Sequence, residues 1–244
     1  MPKANASKTV YSQIESSGHT IRFGFSTKTL GDARKDQTIE TLISEEGLRP
    51  LSIVRPKQTH GTDILVLDTQ PAERWHTVGD YDGLVTTVPG VMLTVVTADC
   101  VPIVFYDPRN GVVGVSHQGW KGSLERMAEK MVAAMRDAGA DPATMQCYIG
   151  PSIGACCYDV PKDRFTTFRD TFFTYYHLFA KKNGETYTLD LAELNVQQLV
   201  QAGVSVANIE LSGECTSCEH GTFYSYRRDS KDAFGEIVSY VLLD

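Results

Sequence analysis

Three polar stretches interrupt or end apolar runs of the sequence, and each carries a residue able to bind a soft or borderline metal. They are Lys57-Gln-Thr-His-Gly61 with His60, Thr97-Ala-Asp-Cys100 with Cys100, and Ser116-His-Gln-Gly-Trp-Lys-Gly122 with His117. Two imidazoles and one thiolate form the protein ligand set of a zinc ion with an open fourth position, where a water molecule's pKa falls toward about 7. Their spacing fits no local finger motif, so a sheet has to bring them together. The runs Val101–Tyr106 and Val112–Ser116 are rich in strand formers, and Asp107-Pro-Arg-Asn-Gly111 between them is turn punctuation. A hairpin from these runs places Cys100 and His117 near one another at its open end.

The frame around these residues is that of an ordinary globular chain. Its 244 residues suffice to bury a large core, with hydrophobic residues at 42% and charged ones at 22%. A net charge of −7 and the absence of basic runs interleaved with aromatics argue against a nucleic-acid polymer as partner. The sequence offers neither a signal-peptide core nor a membrane-length apolar segment, so we expect no membrane association and a cytoplasmic location. The Asn5-Ala-Ser7 sequon carries no weight without a secretion signal. The six cysteines are then expected as thiols.

The elements follow from periodicity. Residues 21–25, 91–97, 101–106, 207–212 and 235–243 read as strands, and 52–68 as two strands broken around Gln58–Gly61. Residues 79–83 read as a loop. One helix is expected over 123–138, with Leu124, Met127, Ala128, Met131 and Met135 at helical spacing, Ser123 as cap and Gly139 as stop. Further helices are expected over 161–178 and 190–202. The mixture of elements suggests an α/β fold with a mixed sheet, and the early hairpins argue against a simple doubly wound array.

Five ordered motifs add to this. Gln58-Thr-His-Gly-Thr-Asp63, residues 80–108, Gly111–Ser123, Tyr148-Ile-Gly-Pro-Ser-Ile-Gly-Ala-Cys-Cys-Tyr-Asp-Val160 and Phe223-Tyr-Ser-Tyr-Arg-Arg-Asp-Ser230 together resemble the polyphenol-oxidoreductase laccase-domain family, better described as zinc-dependent purine nucleoside phosphorylases. The likeness runs over about residues 20–243. It implies a single domain over 1–244 with four α/β/β/α layers and mixed sheets, and zinc held by His60, Cys100 and His117. It also implies phosphorolysis of adenosine, inosine or guanosine to free base and ribose 1-phosphate, with adenosine deamination at the same site. The partners are then purine nucleosides and phosphate, and the protein a monomer or homodimer.

Both reactions ask for further groups. Deamination needs water aimed at the purine C6 and a carboxyl to shuttle protons, for which Asp80, Asp82 and Asp99 are the candidates, Asp82 and Asp99 foremost. Phosphorolysis needs a cationic cradle, for which Arg227, Arg228 and Lys121 are the candidates, Lys121 lying at a glycine-bounded helix start. Where the family commonly reads His-Ala-Gly-Trp-Arg-Gly, this chain has Gln118 and Lys121, and lysine lacks the planar fork of arginine.

Other chemistries compete with this one. Copper oxidation needs paired His-x-His motifs, and the chain has six histidines without such a pair. A cysteine- or zinc-dependent amidase editing peptidoglycan precursors is the alternative; a bare Cys100–His117 dyad would not need His60. Cys215-Thr-Ser-Cys218 followed by His220 can open a structural zinc site if Cys156 or Cys157 adds a ligand. The family does not use it as a defining metal site, so a redox pair or ordinary buried thiols is the expectation.

Overall fold

The computed structural model describes residues 9–16, 19–229 and 234–244; the Asn5-Ala-Ser7 sequon lies outside them. In chain order the elements are β1 (Thr9–Ser16), β2 (His19–Ser26), α1 (Asp36–Glu45), β3 (Ser52–Lys57), β4 (Ile64–Leu67), β5 (Trp75–Asp80), β6 (Gly83–Thr86), β7 (Val91–Thr97), β8 (Val101–Asp107) and β9 (Val112–Gln118). There follow α2 (Trp120–Leu124), α3 (Met127–Asp137), β10 (Gln146–Ile149), α4 (Lys162–Thr171), α5 (Tyr176–Phe179), β11 (Ala180–Asn183), β12 (Thr186–Leu189), α6 (Leu191–Gln201), β13 (Ile209–Leu211) and β14 (Ile237–Leu243).

Two mixed six-stranded sheets carry the architecture, in the orders β1-β2-β14-β7-β3-β5 and β13-β10-β8-β9-β6-β4. Every residue of β8 is buried, which requires cover on both faces of its sheet. Period-two alternation divides the strand. Val101, Ile103 and Phe105 face a cluster shared with Met131 and Met135 of α3 and Leu194 and Leu199 of α6. Val104 and Tyr106 face the other sheet, where Phe23 of β2 stacks on Tyr106 at 5.2 Å. The outer face of the first sheet, with Ile53, Met92 and Tyr240, is covered by Ile39 and Leu42 of α1. The result is the expected four-layer α/β/β/α order.

The β8–β9 hairpin is antiparallel, with Val101 opposite Gln118 and Pro102 opposite His117. Its turn is fixed by Asp107, whose carboxylate accepts from Arg109 N at 3.0 Å and Asn110 Nδ2 at 2.8 Å. The 123–138 helix differs from expectation. It is broken at Arg126, which adopts left-handed φ of 62° between α2 and α3. The apolar stripe continues across the break, so periodicity could not register it. Ser123 lies inside α2, its hydroxyl accepting from Asn195 Nδ2 at 3.0 Å instead of capping. The 161–178 stretch likewise divides into α4 and α5, while α6 starts at an Asp190 cap on Glu193 N. The 79–83 loop shrinks to residues 81–82, because β5 runs on to Asp80, which pairs with Lys57 after a bulge at Gly79, and Gly83 opens β6.

Candidate functional site

His60 follows β3, Cys100 sits in the tight connection between β7 and β8, and His117 is the penultimate residue of β9. The three possible ligand atoms lie within 4.8 Å of one another. The two imidazole rings are perpendicular, with centroids 4.7 Å apart. His117 is buried at 3% exposure, whereas His60 is exposed, so the cluster opens on one side. Two nitrogens and one sulfur converging with an open side fit zinc in the three-ligand form.

The local fold explains this convergence. Gln58 clamps the end of β3 to β7, its Nε2 donating to Val96 O and its Oε1 accepting from Val96 N, each at 2.8 Å. The chain then turns through His60 at φ 61°. Backbone N–H groups of Thr59, His60 and Gly61 converge on the Asp82 carboxylate at 3.2, 3.1 and 2.7 Å. The same carboxylate takes His117 Nδ1 at 2.7 Å. Nδ1 is thereby the donor, and Nε2 is left for a metal. Burial works against the Asp82 charge, but His117 and the Gly61 and Thr59 amides hold its carboxyl below the ordinary range.

Without a metal, thiol and imidazole pair as ions. Burial alone would raise the Cys100 thiol, but the adjacent His117 and His60 draw it down to about 7. Burial also opposes the His117 imidazolium, yet Cys100 and Asp82 raise it to about 10. These shifts mark the place as chemically tuned.

The cluster forms the floor of a cavity of about 680 Å³. Its walls carry aromatic faces from Trp120, Tyr158, Tyr226 and Phe234, and two guanidinium groups, Arg164 and Arg227. Arg164 stacks over Trp120 at 4.2 Å and Arg227 over Tyr158 at 5.2 Å. Arg227 is further held by the carbonyls of Cys157 and Asp159, both at 3.1 Å. Glu236 also lines the cavity; burial lifts its carboxyl above the ordinary range, in part offset by Arg34 and His117.

The expected site residues separate on this geometry. Of the three expected cations, Arg227 reaches the cavity and the other two do not. Arg228 is tied to Asp229 and to the carbonyls of Thr216, Ser217 and Phe223. Lys121 is exposed on the five-residue α2, its Nζ 5.8 Å from the Trp120 ring centroid. Asp80 pairs with Lys57 at the surface. Asp82 does not line the cavity; its carboxylate is taken up by His117 and the amides of residues 59–61. Asp99 lines the cavity, but its oxygens are taken by Thr216 Oγ1 at 2.6 Å, Ser225 Oγ at 3.1 Å and Arg227 N at 2.6 Å. Arg164 and Glu236 carry no signal in the sequence, since neither belongs to a motif whose spacing marks it. Trp120 was visible within the Gly-Trp pair after His117, but only as sequence.

The sequence model of the multi-copper polyphenol oxidoreductase laccase family matches residues 19–244. A protein named adenosine deaminase RL5, from an unknown prokaryotic organism, is 36% identical over 195 residues, 77% of this chain and 74% of its own. Purine nucleoside phosphorylase YlmD from Geobacillus stearothermophilus is 36% identical over 194 residues, 76% of this chain and 70% of its own. The crystal structure of that organism's YlmD superposes with a TM-score of 0.80 at 32% identity, covering 94% of this chain and 97% of that one. Bacillus licheniformis YfiH, solved as a hypothetical protein, superposes at 0.82 with 30% identity over the same shares. Sequence and fold thus agree along nearly the whole length, and the chain belongs to the multi-copper polyphenol oxidoreductase laccase family.

Proposed function

We propose that the chain cleaves purine nucleosides by phosphorolysis, releasing free base and ribose 1-phosphate, and deaminates adenosine in the same cavity. The observation that carries this reading is an open two-histidine, one-cysteine cluster on the floor of a cavity whose wall holds Arg227 and Arg164. Relatives named for each of the two activities support it.

His60, Cys100 and His117 would hold zinc, which when bound supplies Lewis acidity and activates water near neutral pH. The chain's own groups do the rest. Aromatic faces of Trp120, Tyr158, Tyr226 and Phe234 offer stacking surfaces for a purine. Arg227 and Arg164, each on an aromatic face, give a phosphate dianion charge-assisted donors in an otherwise acidic chain. Glu236, a cavity-lining carboxyl lifted above its ordinary range by burial, is placed to hold or pass a proton and takes the part first expected of Asp82 and Asp99.

The test is to follow adenosine, inosine and guanosine by chromatography with and without phosphate, in the parent and in Arg227→Ala. Loss of a charge-assisted contact of about 1.5–3 kcal/mol should raise the phosphate requirement roughly tenfold or more. Adenosine deamination, which uses no phosphate, should suffer less. Equal loss of both reactions would assign Arg227 to the nucleoside or the fold. No base release from any nucleoside, together with hydrolysis of a peptidoglycan-precursor amide, would favour the amidase alternative.

A further inference from the structure

β10 and β13 are parallel neighbours, and the loops beyond their ends meet at an isolated bridge between Ser152 and Cys215. Ser152 O accepts from Thr216 N at 3.0 Å, and the 154–158 turn closes through Cys157 N on Gly154 O at 3.0 Å. Four thiols are brought together in this way. Cys218 Sγ lies 3.5 Å from Cys156 Sγ and 3.4 Å from Cys157 Sγ, and all four sulfurs, with Cys215, fall within 4.8 Å of one another. Cys156 and Cys218 are exposed and the other two half-buried, so these are not the ordinary buried thiols the sequence suggested.

Four sulfurs this close are the donor set of a closed tetrahedral site. Zinc–thiolate bonds of about 2.3 Å place the sulfurs about 3.8 Å apart, within the range the cluster occupies. A single disulfide would use two of the four thiols and leave the others without a role. A backbone donor faces one of the four sulfurs. Gly154 N donates to Cys215 Sγ at 3.2 Å. The Arg228 guanidinium sits on the carbonyls of Thr216 and Ser217, the two residues between Cys215 and Cys218. A side chain at Gly154 would press on the cluster, since its Cβ would lie 3.3 Å from Cys156 Sγ and 3.4 Å from Cys215 Cβ.

We infer that Cys156, Cys157, Cys215 and Cys218 form a second, structural metal site that takes zinc in a closed four-thiolate shell, releasing the thiol protons to solvent. His220 is not part of it. The ion staples the two loops that build one wall of the cavity. Cys157 O holds the Arg227 guanidinium, Tyr158 lies beneath it, and Thr216 Oγ1 holds Asp99 beside Cys100. This site does not depend on which substrate the cavity takes.

The experiment measures zinc per chain by elemental analysis, and the absorption of the cobalt-loaded protein, in three proteins kept reduced. The parent should carry about two equivalents, and Cys100→Ala and the double variant Cys156→Ser with Cys218→Ser about one each. Cobalt in Cys100→Ala should show intense thiolate charge-transfer bands, because the remaining ligand set is all sulfur. Should the double variant fail to fold, Cys100→Ala still decides, since its four clustered thiols are intact. A Cys100→Ala protein free of zinc, without cobalt–thiolate bands, would overturn the proposal. So would an unreduced parent lighter by the two hydrogens of a disulfide in this cluster.

Discussion

Asp82 Oδ1 lies 2.7 Å from His117 Nδ1, and both groups are buried. One carboxylate therefore orients an imidazole and, through three backbone amides, shapes the loop that presents His60. Asp82→Asn should keep the size of the group while losing its charge and turning an amide toward N–H donors. Such outer partners are worth about 10–100-fold in metal affinity, so zinc should be lost to a chelator at correspondingly lower concentration. Competition titration with a coloured chelator checks this. Parent-like affinity in the folded variant would remove the orienting role.

The metal-free protein should have an unusual thiol. Cys100 is lowered from 9.0 to about 7, so its thiolate persists as pH falls until about 7. His117 is raised from 6.5 to about 10, so its imidazolium persists as pH rises until about 10. The ion pair exists between these limits, and its stabilising effect fades below the first and above the second. Alkylation of Cys100 after chelator treatment, followed by peptide mass mapping, should rise with a midpoint near 7. A midpoint near 9 would show that the histidines do not act on the thiol. Zinc loading should abolish the reaction throughout.

Gly119 tests how closely the ligands are packed. A Cβ there would lie 2.9 Å from His60 Cδ2 and 3.3 Å from Cys100 Sγ. Its φ of −72° suits alanine, so Gly119→Ala should fold and push His60 aside. Overpacking of this kind costs about 1–3 kcal/mol, which predicts a loss of roughly tenfold or more in zinc affinity with little change in thermal unfolding of the metal-free protein. The chelator titration and a melting curve separate the two effects.

What the sequence revealed depended on whether a signal was local or motif-borne. The β8–β9 hairpin was legible because Val101–Tyr106 and Val112–Ser116 flank an Asp-Pro-Arg-Asn-Gly turn, and its ends delivered Cys100 and His117 together. His60 was found by ligand chemistry. The break at Arg126 was not legible, because Leu124 and Met127 keep the apolar stripe in phase across it. Nor were the roles of Asp82 and Arg228, since a charged residue inside a motif looks the same whether it faces substrate or satisfies backbone groups. Arg164 lies on α4 with no neighbour to mark it, and only the fold brings it over Trp120. The four-thiol cluster needed the Ser152–Cys215 bridge to join two distant segments.

Asp99 joins the His60–Cys100–His117 cluster to the cavity wall that carries Arg227, and its replacement should separate stability from catalysis. The residue adopts φ of 86° next to Cys100 and accepts from Thr216 Oγ1, Ser225 Oγ and the Arg227 backbone N–H. Asp99→Ala leaves these donors without a partner and puts a Cβ-bearing, non-polar residue in a left-handed conformation. Together these should cost about 2–4 kcal/mol of unfolding free energy. Asp99→Asn is the informative variant, because asparagine tolerates positive φ and retains one acceptor oxygen. It should fold with a smaller loss, yet exchange the charged acceptor of the Arg227 N–H for a weaker neutral one and loosen the residue whose guanidinium rests on Cys157 O, Asp159 O and the Tyr158 ring. The expected signature is a phosphate KM raised by roughly tenfold, with zinc content and adenosine deamination near those of the parent. Urea unfolding and the two rate assays check it together. A deamination rate that falls in step with phosphorolysis would mean that Asp99 acts on the reacting purine itself and not through Arg227.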